Sequence, residues 1–295
     1  MSNTSEGSTR ILVTGATGTV GREVVARLFD AGQPVTAAVR DPRAADVVPG
    51  VPTVRFDFEQ PSTYGPAFAD HGALFLVRPP AITRVWSSIF PAIDAAVGAG
   101  VRHVVFLSLQ GAEANPLVPH RWIEWKLAST DVTATLLRPS FFMQNLTTTH
   151  RREIARDGRI VVPAGTGRTA FIDARDIAAV AARVLIEPRY AGRAFELTGP
   201  AALTYHEVAD VLSDVLGRPI RYDEPGVLDF LQHSRREGRP WPFILVMTGI
   251  YLTARFGGAA RTTSTVASVL KRPAQSFRRF AEDYATAWDR AARSA

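Results

Sequence analysis

The stretch Ile11-Leu12-Val13-Thr14-Gly15-Ala16-Thr17-Gly18-Thr19-Val20-Gly21 runs from an apolar strand into a glycine-spaced turn. Val20, Val24, Val25, Leu28 and Phe29 follow at helical spacing, and Gly32 closes that helix before a second apolar strand. Glycines so placed allow a tight turn, close approach of backbone to phosphate, and close packing of helix on strand. The helix N-terminus adds unpaired N–H groups, so strand, turn and helix together predict a site for a dinucleotide pyrophosphate. Without that flanking context, glycine spacing would be weak evidence.

The second strand, at 35–39, ends in Arg40, about 20 residues beyond the glycine turn, where chains that bind NAD usually carry an acid for the ribose hydroxyls. An arginine suits a 2′-phosphate, and Arg43 supplies a second positive charge, so the reading favours NADP(H) over NAD(H). The competing account is one more surface arginine, since all but two of the 34 basic residues are arginine.

A chain of 295 residues, 46% hydrophobic and 21% charged, has the material for a full globular core. Its net charge of +6 is dispersed along the chain with no DNA-binding motif, so nucleic acid is not expected as a partner. With no cysteine there are no disulfides, no thiolate catalysis and no cysteine metal sites; no metal is expected. The polar residues 1–9 read as a loose N-terminal extension without the apolar core of a secretory signal, and the expected location is the cytoplasm. The apolar run 241–254 is shorter than a membrane helix and contains Pro242 and Gly249, so it reads as a buried or lid helix and no membrane partner is expected.

Strands at 11–13, 35–39, 53–56, 73–77, 101–107 and 133–137 alternate with helical patterns at 20–31, 85–99 and 122–129. Such alternation predicts a doubly wound parallel α/β sheet of the Rossmann type over residues 10–150, with its ligand crevice at the carboxyl ends of the strands. Residues 160–200 are expected to return to this domain, and 200–295 to form a smaller, mostly helical lobe. Within the later chain, 141–156 reads as a helix ended by Gly158, and Asp176 as the cap of a helix at 177–186. Thr204 and Glu207 have the spacing of a capping box. The stretch 227–288 reads as helical, with Phe277, Phe280, Tyr284 and Trp288 forming a packing stripe.

With these residues in hand, the chain resembles the NmrA-like, atypical branch of the short-chain dehydrogenase/reductase superfamily, and in particular its quinone and dye reductase-like members. The resemblance covers most of the chain. It rests on Thr14 to Gly21, on Val104-Val105-Phe106-Leu107-Ser108, on Leu136-Leu137-Arg138-Pro139 with Phe142 and Asn145, and on Phe171-Ile172-Asp173-Ala174-Arg175-Asp176-Ile177-Ala178. It implies a Rossmann domain, a C-terminal substrate lobe and NADPH between them. Gly15, Thr17, Gly18, Thr19, Val20 and Gly21 would surround the pyrophosphate, Arg40 would meet the adenosine phosphate, and Asp57 and Phe58 would flank the adenine. Val77, Arg78 and Pro79 would pass the nicotinamide ribose; Ser108, Leu109, Gln110 and Ser140 would approach the nicotinamide end. Arg78 replaces the small or hydroxyl residue expected there, and would hold a phosphate, hold an anionic substrate or point to solvent.

The superfamily's usual Tyr-x-x-x-Lys pair is absent: the two lysines, Lys126 and Lys271, are preceded four residues earlier by Trp122 and Ala267. That removes the ordinary acid for ketone reduction. By the resemblance, His120 occupies the lysine position with Glu124 matching an acidic residue four further on; His120 and Gln110 are the candidate catalytic residues. The other histidines show no metal spacing. Hydride transfer without a strong acid suits quinones, enones, dyes or polyketide-like compounds, whose products are delocalised or neutral. Phe141, Phe142, Trp241 and Met247 would line the substrate pocket, Trp241, Phe243, Met247 and Tyr251 sharing one helix face, and Asn145 would be a buried amide fixing a loop. The expectation is an NADPH-dependent reductase of a conjugated or aromatic small molecule, acting as monomer or homodimer; the alternative is a non-catalytic regulator that senses NADP(H) and acts through a protein partner.

Overall fold

The computed structural model describes residues 9–289, so the expected N-terminal extension lies, apart from Thr9, outside the described residues. In chain order the elements are β1 (Ile11–Val13), α1 (Thr19–Asp30), β2 (Val35–Val39), β3 (Thr53–Arg55), α2 (Tyr64–Phe68), β4 (Ala73–Val77), α3 (Ile89–Gly98), β5 (His103–Leu107), α4 (Pro119–Ala128) and β6 (Thr133–Pro139). They continue with α5 (Arg151–Asp157), β7 (Arg159–Ile160), β8 (Thr169–Ala170), α6 (Ala174–Ile186), β9 (Ala194–Leu197), β10 (Ala202–Leu203) and α7 (Tyr205–Leu216). The last are β11 (Arg221–Tyr222), α8 (Val227–Arg236), α9 (Trp241–Arg255), α10 (Thr265–Leu270) and α11 (Phe277–Asp283).

These elements form two compact units. The first holds the chain up to Pro139 together with Ala174–Leu197, and its sheet runs β3-β2-β1-β4-β5-β6-β9 with every pairing parallel. This is the Rossmann arrangement, and the strand order reverses between β1 and β4, which opens a crevice at their carboxyl ends. Leu12, Leu74, Leu76, Val104 and Phe106 pack with Ile89 and Ile93 of α3 and Ile123 and Leu127 of α4. Val13, Phe75 and Val105, pointing the other way along the pleat, are equally buried on the face covered by α1 and α6.

The second unit comprises residues 140–173 and the chain from 198 onward. The chain thus leaves the first unit at Pro139, not at 150, and only 174–197 of the expected returning segment rejoins it. The reason is apolar: Met143, Leu146, Ile154 and Phe171 share a core with Tyr205, Leu212, Phe230, Met247, Tyr251 and Phe280. The expected helix at 141–156 is broken as well, because Phe142 is extended and bridges to Ile172, leaving a 3-10 turn at Met143–Leu146 and then α5. Gly158 ends α5 in the left-handed conformation at φ 62°.

Asp176 lies buried in the first turn of α6, which starts at Ala174, and so does not cap it. Thr204 does cap α7, by a reciprocal box with Glu207. The helical stretch 227–288 is divided among α8 to α11 and a final 3-10 turn, and its stripe is packing: Phe277, Phe280 and Trp288 are buried. No helix among the described residues is long and apolar enough to cross a membrane.

Candidate functional site

β1 leads directly into the glycine turn, and Thr14 anchors it. The Thr14 hydroxyl donates to the Phe75 carbonyl at 3.0 Å and accepts the Val77 N–H at 2.8 Å, joining the ends of β1 and β4. Gly15 has φ +63°, and its carbonyl accepts the Gly18 N–H at 2.9 Å. A Cβ on Gly21 would lie 2.1 Å from the Gly15 oxygen, so α1 can sit this close to the turn only with glycine there. Gly18 caps α1 without a side-chain acceptor, and Thr17, Gly18 and Thr19 are exposed, which leaves the first N–H groups of the helix for an anion. Val20 is buried beside Val24 and Val25, so only its backbone serves the turn.

Around this cradle the expected residues divide. Arg40 follows β2, is exposed, and makes no hydrogen bond or ion pair among the described residues; Arg43 is exposed beside it. The Asp57 carboxylate accepts the Glu59 N–H at 2.9 Å and holds its own turn. The Phe58 ring is buried against Phe56 at 4.7 Å, so it belongs to the core and leaves only backbone for the role expected beside an adenine. The sequence pattern did not separate these, since an apolar residue after a strand serves either use.

At the ends of β4 and β5, Val77 and Leu107 pair across the sheet. Arg78 does not point to solvent: its Nη1 donates to the carbonyls of Pro79 at 3.1 Å, Pro80 at 3.3 Å and Ile82 at 2.6 Å. Its buried Nε has no hydrogen-bond partner, and desolvation lowers its pKa. Ser108 is buried, and its hydroxyl donates to Glu124 at 2.6 Å. Glu124 in turn takes two bonds from Arg138, at 3.0 and 2.7 Å, and Arg138 pairs with Glu113 at 3.2 Å. The Ser108 hydroxyl hydrogen is therefore committed to fastening β5, α4 and β6, which leaves its oxygen lone pairs and backbone for the expected place at the nicotinamide. Leu109 and Gln110 are half-buried, and the Gln110 N–H donates to the Pro139 carbonyl at 2.9 Å.

His120 occupies the first turn of α4, its ring stacked 6.0 Å from Phe106. Its buried Nδ1 has no hydrogen-bond partner. Burial, reinforced by the Arg78 charge, lowers its pKa to about 3. At neutral pH the imidazole is uncharged, which fits a hydrogen-bonding role and not that of a stored proton.

In the second unit, the Ser140 hydroxyl is buried without a partner. Phe141 packs edge-on to Phe171 at 5.7 Å, Phe142 is half-buried, and Met247 is buried in the core. Trp241 departs from the expected face. At about 100° per residue it lies about 120° around α9 from Met247 and about 80° from Tyr251, is 51% exposed, and lines an outer groove of about 460 Å³ with Leu228 and Arg235. Gln144, not Asn145, is the buried amide that fixes the loop, donating to Asp173 at 2.8 Å. His150 and His233 hydrogen-bond the buried Glu153 carboxylate at 3.1 and 3.0 Å, and the Arg239 guanidinium pairs with it at 2.7 Å. No group of three or more His, Asp or Glu among the described residues is arranged to hold a metal.

The NmrA-like family model matches residues 7–232. An NAD(P)H azoreductase from Xenophilus azovorans is 36% identical over 286 residues, which cover 94% of this chain and 99% of that protein. A (4-alkanoyl-5-oxo-2,5-dihydrofuran-3-yl)methyl phosphate reductase from Streptomyces griseus is 36% identical over 288 residues, with coverage of 94% and 99%. The crystal structure of Citrobacter sp. triphenylmethane reductase complexed with NADP(H) superposes with a TM-score of 0.82 at 25% identity, covering 93% of this chain and 99% of that one. The chain belongs to the NmrA-like family and is an NAD(P)-binding oxidoreductase of the Rossmann type.

Proposed function

We propose that this protein is an NADPH-dependent reductase that delivers hydride to a conjugated or aromatic small molecule without a tyrosine–lysine pair. The observation that carries the reading is the cradle beneath α1, where Gly15 and Gly21 bring backbone against backbone and the helix N-terminus lacks a side-chain cap. A pyrophosphate fits that donor set by charge. Arg40, exposed and without a carboxylate partner, supports the 2′-phosphate form of the nucleotide.

When bound, a reduced nicotinamide supplies the hydride. The chain's own part is to position, to exclude water and to stabilise charge. His120, neutral because of burial and Arg78, donates or accepts one hydrogen bond but holds no second proton at pH 7. An acceptor whose product spreads or neutralises charge, such as a quinone, an enone, an azo dye or a cationic dye, is therefore favoured over a simple ketone, whose alkoxide would be localised. The azo compounds and triphenylmethane dyes in the names of its relatives support this class. Gln110 remains, with His120, a proposed catalytic residue.

Equilibrium binding and stopped-flow NADPH oxidation against quinones, azo dyes and enones test the proposal. NADPH should bind at least tenfold tighter than NADH, and Arg40→Ala should remove most of that difference, about 1.4 kcal/mol per factor of ten. Equal affinity for the two nucleotides would overturn the NADP assignment; tight binding with no hydride transfer across the panel would overturn the reductase.

A further inference from the structure

We propose that the Arg78 guanidinium, with His120 beside it, is an acceptor-recognition site for an anionic substituent, a carboxylate, phosphate or sulfonate carried by the small molecule being reduced. The inference rests on the reductase reading and names its substrate class further.

One nitrogen of Arg78, Nη1, is spent on three carbonyls of its own turn, and two consecutive prolines, Pro79 and Pro80, stiffen that turn. The Nε and Nη2 edge has no hydrogen bond among the described residues, and Nε is buried. That edge is the one that grips a carboxylate or phosphate through two parallel bonds. No carboxylate pairs with Arg78 among the described residues, although the chain pairs many of its other arginines, including Arg138 and Arg239. A partly buried guanidinium without a counter-charge is costly, so an immobilised one is matched to a charge that arrives with a ligand.

Its place agrees. Arg78 follows β4 and His120 opens α4 after β5, and these are adjacent parallel strands paired at Val77 and Leu107, at the carboxyl end where the crevice lies. The second orphaned atom, His120 Nδ1, belongs to a neutral ring that can add a hydrogen bond without competing for the positive charge. Arg40 and the α1 N-terminus lie at β2 and β1, so the nucleotide phosphates have other partners.

The test pairs two acceptors differing in one group, methyl red and its methyl ester, with the full-length protein and saturating NADPH. Wild type should prefer the free carboxylate, and Arg78→Gln should lower the ratio of kcat/KM for acid over ester at least tenfold through KM, with Arg78→Lys retaining part of it. In parallel, phenyl phosphate should bind the NADP+-loaded wild type, and Arg78→Gln should weaken that binding at least tenfold. An unchanged ratio together with unchanged phenyl phosphate binding would overturn the proposal. So would a loss of NADP+ affinity in Arg78→Gln equal to any loss of acceptor preference, which would return Arg78 to the cofactor. Failure of both dyes to be reduced would count against the reductase reading instead, and phenyl phosphate binding would still decide the site.

Discussion

At the scale of the residue, His120 shows how burial assigns a chemical role. A histidine at a helix start has an ordinary pKa of 6.5, but desolvation and the neighbouring Arg78 lower it to about 3. The unfolded chain therefore takes up a proton below pH 6.5 that the native state refuses, and stability is lost as pH falls from 6.5 toward 3. His71 and His103, also lowered chiefly by burial, act in the same direction. In urea unfolding, His120→Gln should flatten the decline between pH 6.5 and 5 by up to about 2 kcal/mol. Identical slopes for the two proteins would show that His120 titrates normally and remains available as a proton donor. The residue type was legible in the sequence, but its protonation state depended on Phe106 and Arg78, which meet it only after folding.

Between elements, the clamp of Ser108, Glu124 and Arg138 ties the ends of β5 and β6 to α4, which carries His120. Glu124 is almost fully buried, so neutralising it leaves Arg138 with the half-exposed Glu113 and the weaker charge of Glu196 opposite. Breaking a buried pair from one side typically costs about 3–5 kcal/mol. Glu124→Gln, which keeps the shape and one acceptor, should cost about 2–3 kcal/mol, read as a lower urea midpoint at unchanged slope. A midpoint within experimental error of wild type would mean the clamp is not structural and would free Ser108 for the site. Its three members lie far apart in sequence, and no local period announces them, whereas the Thr204–Glu207 cap was legible because its partners are three residues apart. Trp241 differs for another reason: its spacing was read as sharing a face with Met247 and Tyr251, whereas the helix leaves it at the exposed border of that face.

For the molecule as a whole, the chain forms two compact units, and ligand linkage tests the proposed nucleotide site. NADP+ at about a hundredfold over its Kd should add about 2.7 kcal/mol to the unfolding free energy of whatever part binds it. A calorimetric scan should show that transition rise by several degrees; a scan unmoved by NADP+ would remove the nucleotide from the account. The parallel sheet and the glycine turn were written in the chain, because period, turn residues and the missing Cβ at Gly21 are local properties that survive without a partner. Tertiary structure alone decided that the chain leaves the sheet unit at Pro139, that Ser108 is committed to Glu124, and that Phe58 belongs to the core. It also decided that Arg78 is immobilised through Nη1 while its buried Nε has no hydrogen-bond partner. These depend on desolvation and on pairings between distant segments, and both come into being only when the chain has closed on itself.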